Sequence, residues 1–370
     1  MRDHETSWKL CLVAPAILVC AGLADRAAAQ TRGWTWIGPV HEPLTSLVIH
    51  PLTPSTLYGG AHGGVFKSLD NGGSWTFLAA DVPPVPPSAP TPYSSVTVLA
   101  LDPANSGVLY AGTNGSGLFR TADGGGSWSN AGLATLTVRA LALAPGFTAT
   151  VYAGTSNGIF KSTDGGMSWS DVSSGLASTN VGALAVDPKT PTTLYAGTSG
   201  GVFKSVDGGD TWSAVNSGLT RLDVRALVID PLTPTTLYAG TVGGVFKSTD
   251  GGDGWLPVNT GLTNPVVVTL VIDPATPTTL YAGAKPAYPV SYSTVFKSTD
   301  GGARWKKLNT GLAGRFVQFL AIDPSRPTTV FAATADGGFV LDQSSTSPAG
   351  PGELMRGLTG TRSRAAVQRP

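Results

Sequence analysis

One pattern of apolar and polar positions repeats along most of the chain. Each unit runs from an apolar stretch through an Asp-Pro turn to Leu-Tyr-Ala-Gly, and then through Gly-Val-Phe-Lys-Ser and Asp-Gly-Gly to Trp. From Tyr110 to Tyr281 the tyrosine of this unit recurs every 42 or 43 residues. A fixed period of this length indicates a repeat architecture in which each unit forms one supersecondary structure.

The unit at 224–258 predicts four strands. Residues 224–229 are almost continuously apolar, as expected of a strand buried on both faces. An Asp-Pro turn follows, because Asp can bond the backbone ahead of it and Pro presets φ. The second, third and fourth strands are predicted at 236–241, 245–248 and 254–258, separated by Gly-rich turns. Four short antiparallel strands in one repeat predict one blade of a β-propeller.

Seven innermost strands can be counted, but the seventh unit is incomplete. After its third strand at 337–340 no Asp-Gly-Gly and no Trp follow. The missing outermost strand is predicted at 34–37, near the N-terminus, where Trp-Thr-Trp-Ile precedes the first unit. The sequence therefore predicts an all-β, seven-bladed β-propeller of four-stranded antiparallel blades over 30–342, with the ring closed by the N-terminal strand. An open solenoid of seven units is the alternative, but it needs capping units that the sequence does not contain.

An eight-residue box precedes the outermost strand in six units, for example Ser-Leu-Asp-Asn-Gly-Gly-Ser-Trp at 68–75. The box carboxylates are Asp70, Asp123, Asp164, Asp207, Asp250 and Asp300. The box indoles are Trp75, Trp128, Trp169, Trp212, Trp255 and Trp305. We expect the Asp to accept hydrogen bonds from the turn, the second Gly to adopt a positive φ, and the Trp to pack on the neighbouring blade. These residues are predicted to be structural, because one box per blade places the carboxylates too far apart to share a metal ion.

This box resembles the Asp-box of the bacterial neuraminidase repeat family, and the resemblance covers about 300 residues. It implies the propeller fold but no single function. Asp-boxes occur in sialidases, xyloglucan hydrolases, sortilin-type receptors and photosystem II assembly factors. The resemblance therefore leaves both an enzyme and a binding protein open.

The enzyme alternative is a glycoside hydrolase acting on extracellular polysaccharide. The resemblance to sialidases implies a Tyr nucleophile activated by Glu, yet this chain has no Glu between 43 and 352 and no Arg-Ile-Pro motif near its start. A paired-carboxylate mechanism would need two acids on one face, and Asp223 and Asp336 are the candidates, two blades apart. Because these signals are thin, we expect a non-catalytic binding or assembly platform without catalytic residues.

The ligand is expected on the face formed by the turns between second and third strands and by the connections between blades. Loops there vary, whereas the Asp-Pro turns and boxes on the opposite face are uniform. Arg139 and Arg225 stand at equivalent positions where the other blades hold Thr45, Thr97, Gly182, Val268 and Gln318. The remaining predicted ligand-binding residues on this face are Arg221, His62, Tyr288 and Tyr292. The resemblance to photosystem assembly factors, whose propeller arginines contribute to partner binding, favours a protein partner, and a carbohydrate stays open.

Charge and targeting signals narrow the class of protein. The net charge of +1 gives no general attraction to nucleic acid, and the mature histidines show no metal-binding spacing, so neither a metal nor a cofactor is expected. Residues 1–29 resemble a secretory signal peptide, with cleavage after Ala29 or lipid anchoring at Cys20 as the alternatives. We therefore expect a secreted or periplasmic monomer with no membrane span after cleavage. Residues 343–370 lack apolar periodicity and are predicted to be a disordered tail.

Overall fold

The computed structural model describes residues 33–40, 42–78, 95–146, 149–286, 293–312 and 314–344. These residues form seven four-stranded antiparallel sheets, and no helix occurs among them. No helix able to cross a membrane is therefore found in the described ranges. The predicted signal peptide at 1–29, nearly all of the predicted tail, and both Tyr288 and Tyr292 lie outside the described residues.

Each sheet is one blade, and its strands run in sequence order from the ring axis outward in blades 1 to 6. The innermost strands of blades 1 to 7 are β2 (Leu44–Ile49), β6 (Val96–Leu101), β10 (Val138–Leu143), β14 (Val181–Val186), β18 (Val224–Ile229), β22 (Val266–Ile272) and β26 (Val317–Ile322). The second strands are β3 (Leu57–Ala61), β7 (Leu109–Thr113), β11 (Val151–Thr155), β15 (Leu194–Thr198), β19 (Leu237–Thr241), β23 (Leu280–Lys285) and β27 (Thr329–Thr334).

The outer half of each blade is shorter. The third strands are β4 (Gly64–Ser68), β8 (Leu118–Thr121), β12 (Gly158–Ser162), β16 (Gly201–Ser205), β20 (Gly244–Ser248), β24 (Thr294–Ser298) and β28 (Gly337–Asp342). The outermost strands of blades 1 to 6 are β5 (Thr76–Leu78), β9 (Ser129–Asn130), β13 (Ser170–Asp171), β17 (Ser213–Ala214), β21 (Leu256–Pro257) and β25 (Lys306–Lys307).

The N-terminal strand β1 (Thr35–Gly38) is the outermost strand of blade 7, so the predicted closure of the ring is confirmed. It pairs antiparallel with β28, where Trp36 lies opposite Phe339. Trp34 takes the place of the missing box indole, and its Nε1 donates to the carbonyl of Leu308 in blade 6 at 2.7 Å. The innermost strands contact one another around the whole ring, with β26 against β2.

Apolar side chains fill the spaces between adjacent blades. Between blades 3 and 4, for example, Tyr152 packs with Leu194 and Trp212, all of them buried. Fully burying one such side chain stabilises the fold by about 1.5–3 kcal/mol. Gly197 is required here, because a Cβ at that position would lie 2.7 Å from a methyl group of Val224 in blade 5.

Polar contacts also join the blades. In blade 4 the Tyr195 hydroxyl donates to the carbonyl of Gly251, in the box of blade 5, at 3.0 Å, and the Lys204 ammonium donates to the same oxygen at 2.9 Å. Burial raises the pKa of Tyr195 to about 12, so its hydroxyl keeps its proton at neutral pH. The corresponding Tyr-to-carbonyl bond recurs in each of blades 1 to 5.

Strand direction gives the ring two different faces. The Asp-Pro turns and the boxes lie on one, called the box face here. The turns between second and third strands and the connections between blades lie on the other, called the variable face.

Candidate functional site

The seven positions that the sequence pattern aligned with Arg139 are equivalent in three dimensions. In every blade the register between the innermost and second strands shifts at this position, which forms a β-bulge at the variable-face end of the channel. The bulged residues are Thr45, Thr97, Arg139, Gly182, Arg225, Val268 and Gln318. A bulge redirects the side chain out of the regular alternation of the strand. These seven positions therefore form a ring around the mouth of the central channel, and all but Gly182 carry a side chain.

Two threonines show how the repeat uses this position when no charge is present. The Thr45 hydroxyl lies 2.9 Å from the carbonyl oxygen of Gly60 in its own blade and also reaches the carbonyl of Val96 in blade 2. The Thr97 hydroxyl contacts the carbonyls of Gly112 and Val138 in the same way. A short hydroxyl is thus sufficient to link neighbouring blades at the bulge.

The two arginines extend from the same ring and are exposed. The Arg139 guanidinium donates to the side-chain oxygen of Asn180, at the entrance to blade 4. The Arg225 guanidinium binds the Asp223 carboxylate with its Nε at 3.2 Å and its Nη2 at 2.7 Å. Arg225 is therefore neutralised in part by a neighbour, whereas Arg139 is held by a neutral amide and keeps its full charge.

The other predicted site residues are only partly brought together. Arg221 is exposed and lies in the connection that enters blade 5, where its side chain covers Gly243. His62 is exposed in the turn of blade 1 and forms a β-bridge with Ser95 at the entrance to blade 2. The described residues thus place Arg139, Arg221 and Arg225 within blades 3 to 5, with His62 on another part of the ring.

The acidic side chains lie mostly in the turns of the box face, where Lys189, Arg304 and Arg326 also lie, and the chain is almost neutral overall. The described charged residues of the variable face are Arg139, Arg221, Arg225, Lys285, Arg315, Glu42, Asp223 and Asp336. The described acids in the turns of the box face are Asp70, Asp102, Asp123, Asp164, Asp187, Asp207, Asp210, Asp230, Asp250, Asp253, Asp273, Asp300 and Asp323. Cations therefore outnumber acids on the variable face, which favours anionic ligands there.

The box residues make hydrogen bonds within their own blade and to the preceding blade. In blade 4, Asp207 accepts hydrogen bonds from the Ser205 hydroxyl at 2.7 Å and from the Thr211 N–H at 3.0 Å. The Thr211 hydroxyl also donates to this carboxylate, at 2.6 Å. This bond above all, together with the other two, holds the pKa of Asp207 well below its usual range. The carboxylate itself is exposed, and the buried N–H of Gly209 donates to the Ser205 oxygen instead, at 2.9 Å. The Trp212 Nε1 donates to the carbonyl of Val172 in blade 3 at 2.8 Å.

The two candidate catalytic acids both lie on the variable face, as predicted, and both are engaged in ion pairs. Asp223 binds Arg225 at 2.7 Å, and Asp336 binds the Arg315 guanidinium at 2.6 Å. Each carboxylate is therefore already paired with a guanidinium of the same surface. Among the described residues no group of three or more His, Cys, Asp or Glu side chains is placed to hold a metal ion.

A pocket on the variable face of blade 7 was not predicted from the sequence pattern. Its volume is about 550 Å³, and its walls are Trp36, Val40, Arg315, Ala335 and Asp336. Trp36 was predicted only as part of the closing strand, and Arg315 was not singled out. The available signal was that Trp36, Asp336 and Arg315 stand where blade 4 has Ala214, Gly200 and Thr179.

Comparison with known proteins supports the fold without deciding the function. No protein-family profile matches the chain, and no curated protein does either. Among solved structures, a GH74 enzyme from Niastella koreensis has a TM-score of 0.65 and 19% identity, covering 85% of this chain and 54% of its own. The chain thus spans about half the length of the GH74 structures it matches.

Two further neighbours have other roles. The structure of YCF48 bound to a D1 peptide has a TM-score of 0.61 and 16% identity, covering 85% of this chain and 97% of its own. The extracellular domain of the one component system BT4673 from B. thetaiotaomicron has a TM-score of 0.63 and 15% identity, covering 83% of this chain and 39% of its own. These neighbours are seven-bladed β-propeller proteins, and they include both enzymes and binding proteins.

Proposed function

We propose that this chain is an exported, non-catalytic propeller that binds an anionic protein or glycan ligand at the variable-face mouth of its channel. The observation that carries the proposal is the ring of bulged residues. Two of its seven positions hold exposed arginines where threonine satisfies the same backbone geometry. The fold does not require a charged side chain at the bulged position, so ligand binding is the simplest explanation for the two arginines.

The surroundings of the ring support an anionic ligand. Arg139 keeps its charge beside a neutral amide, and Arg221 adds a second exposed cation near Arg225. Guanidinium groups bind carboxylate and sulfate through two parallel N–H donors. Acidic peptide segments, uronate sugars and sulfated sugars are the ligand classes with matching chemistry.

The comparisons offer precedents for binding. YCF48 is seen bound to a D1 peptide, and the matched part of BT4673 is an extracellular domain. The GH74 neighbours leave a hydrolase as the alternative function, but the carboxylates of Asp223 and Asp336 each form an ion pair with an arginine. A binding role therefore has more support than a catalytic one.

Export is part of the proposal and rests on the signal-like segment at 1–29. The intact mass of the protein recovered from a secreting host tests it directly. Cleavage after Ala29 gives the mass of residues 30–370, and lipidation at Cys20 gives a longer, acylated chain. A full-length product left inside the cell would contradict export.

The ligand site is tested with acidic peptides, uronate oligosaccharides and sulfated oligosaccharides as named ligands, with a glycosidase panel alongside. The Arg139→Ala/Arg225→Ala double variant should weaken the binding of the best ligand by about 1–3 kcal/mol and flatten its salt dependence. The matched control is Lys306→Ala/Lys307→Ala, which removes the same charge from the exposed outermost strand of blade 6. Equal binding by both double variants and the unaltered chain would place the site elsewhere.

A second variant tests the same site in the opposite direction. Asp223→Asn removes the carboxylate that neutralises Arg225 while keeping the shape of the side chain. Binding of the anionic ligand should become tighter, by less than the loss in the arginine variants. Weaker binding would mean that Asp223 itself contacts the ligand.

A further inference from the structure

The pocket of blade 7 contains an exposed aromatic ring whose orientation is fixed. Trp36 is 43% exposed, and its Nε1 donates to the backbone carbonyl of Asp336 at 3.1 Å. This hydrogen bond ties one edge of the indole to the turn between β27 and β28, and β1 holds its backbone. The indole lines the pocket, and the hydrogen bond restricts its rotation, which lowers the entropic cost of stacking a ligand on it.

Two charged groups of the pocket are fixed as well. The Arg315 guanidinium lies 2.6 Å from the Asp336 carboxylate and 5.3 Å from the centre of the Phe339 ring. The Asp336 side chain is half exposed, so its carboxylate keeps accepting capacity toward the pocket. A paired carboxylate and guanidinium offer acceptors and donors side by side, in geometry that suits adjacent hydroxyl groups.

Blades 4 and 5 hold none of these three residues, although blade 1 has another aromatic ring, Phe77, in place of Trp36. In blade 4 the equivalent positions hold Ala214, Gly200 and Thr179, none of which is aromatic or charged. In blade 5 they hold Pro257, Gly243 and Leu222. The repeat therefore does not need an indole, a carboxylate or a guanidinium here, and their convergence in one pocket calls for a role other than folding.

We infer that this pocket binds a pyranose ring of a neutral glycan. The apolar C–H face of the sugar stacks on Trp36, while adjacent hydroxyls donate to Asp336 and accept from Arg315. The internal ion pair makes the polar wall nearly neutral, which favours hydroxyl groups over a charged ligand. The pocket volume of about 550 Å³ lies within the range of small-ligand sites, about 300–1,000 Å³, and leaves room beyond one ring. The inference uses none of the residues of the proposed anion site.

The test is a titration of the full chain with the methyl glycosides of glucose, galactose and mannose and with cellobiose, lactose and mannobiose, followed by indole N–H signals in NMR spectra. At least one sugar should bind with a dissociation constant on the order of 1 mM and shift the Trp36 signal. Trp36→Ala should weaken that binding about tenfold or more, and Asp336→Asn should weaken it several-fold. Melting curves establish that each variant is folded.

Two controls separate binding in this pocket from binding elsewhere on the chain. Phe77→Ala removes the aromatic ring at the equivalent position of blade 1, which is 44% exposed, and should leave sugar binding unchanged. Arg139→Ala/Arg225→Ala should also leave it unchanged, so a failure of the anion site and a failure of this one are distinguishable. Absence of binding by every sugar, or binding that survives Trp36→Ala in a folded protein, overturns the inference. Binding of a tetraglutamate peptide in place of any sugar overturns it too.

Discussion

Blade 4 and blade 7 occupy equivalent places in the same ring but are built differently. Blade 4 is one continuous segment whose box ties its third and outermost strands together, and its Tyr195 and Lys204 reach the box of blade 5. Blade 7 takes three strands from one end of the described chain and the fourth from the other. It has no box, and it holds Phe331 and Val340 where blade 4 has that tyrosine and lysine.

The junction of blades 6 and 7 shows how the missing box is replaced. Gln343, just beyond β28, donates from its Nε2 to the Tyr281 hydroxyl at 2.8 Å, and its Oε1 accepts from the Lys297 ammonium at 2.6 Å. One side chain thus bonds both groups that a box carbonyl bonds elsewhere, but its amide N–H donates to the tyrosine hydroxyl where the box carbonyl accepts from it. Without a box, the residues in the outer part of blade 7 no longer have to match the box motif. The pocket of blade 7 lies in this outer part.

Removing the closing strand should have the largest effect. Deleting residues 30–39 takes away β1 and Trp34 and leaves the edge of β28 unpaired, so we expect loss of several kcal/mol of stability, or aggregation. Thermal unfolding followed by circular dichroism, with light scattering, measures both. Deleting residues 361–370 of the predicted tail is the length-matched control and should change neither. An unaltered melting curve after deletion of 30–39 would falsify closure by β1.

The internal box of blade 4 should be the next most sensitive feature. Ser205 is buried, and Ser205→Ala leaves the buried Gly209 N–H without its acceptor, at a cost of about 1–3 kcal/mol. Asp207→Ala should act in the same direction but less, because that carboxylate is exposed. Asp210→Ala, in the same loop, is the control with little expected effect, since it breaks only a 3.5 Å ion pair with Lys161 in which the Asp210 side chain is exposed. Ligand binding measured well below the melting temperature should survive in all three.

Much of this fold can be predicted from the sequence because equivalent strand residues recur with a fixed period, which aligns the blades with one another. The blade count, the strand order and the closing strand were predicted, with β1 observed at Thr35–Gly38 against a predicted 34–37. The box Asp was predicted to accept hydrogen bonds from the turn, but the sequence did not indicate which box residue serves the buried donor. In the structure that donor bonds the box hydroxyl, since Ser68 accepts from Gly72 as Ser205 does from Gly209. A motif indicates which residues cooperate, but not which of them faces the interior.

The candidate site was less predictable, and the reason lies in side-chain partners. Repeat alignment found the equivalence of Arg139 and Arg225, but it could not show that Asp223 neutralises only the second. Repeat alignment also could not predict the contact between Trp36 and Asp336, because these residues lie 300 positions apart in sequence. Contacts made within a blade repeat with the period, whereas contacts at the closure occur once and leave no periodic signal.

A smaller effect is expected at the junction where Gln343 replaces the box. Gln343→Ala removes both hydrogen bonds, but Lys297 and position 343 are only half-buried, so water can compensate in part. We expect a loss of about 1 kcal/mol, less than that of Ser205→Ala. Urea unfolding of both variants gives the comparison, with Ser344→Ala as the neighbouring control. A larger loss for Gln343→Ala would mean that the boxless junction, rather than the box, limits stability.

The smallest expected effect is the acid response of the boxes, which blade 7 lacks. Hydrogen bonds to the carboxylates, from the Thr211 hydroxyl in the case of Asp207, lower the pKa values of the box aspartates below that of an unfolded chain. A lowered folded-state pKa gives stability that is present above the unfolded value, about 3.9, and is lost as pH falls through the folded value. The melting temperature should therefore stay nearly level from pH 7 to about 4 and decline below it. Asp207→Asn has one fewer such group, so its deficit relative to the unaltered chain should shrink between about pH 4 and pH 2. If melting temperature against pH gives parallel curves for Asp207→Asn and the unaltered chain, the Asp207 carboxylate adds no acid sensitivity. The box of blade 4 would then respond to acid no differently from blade 7, which has no box.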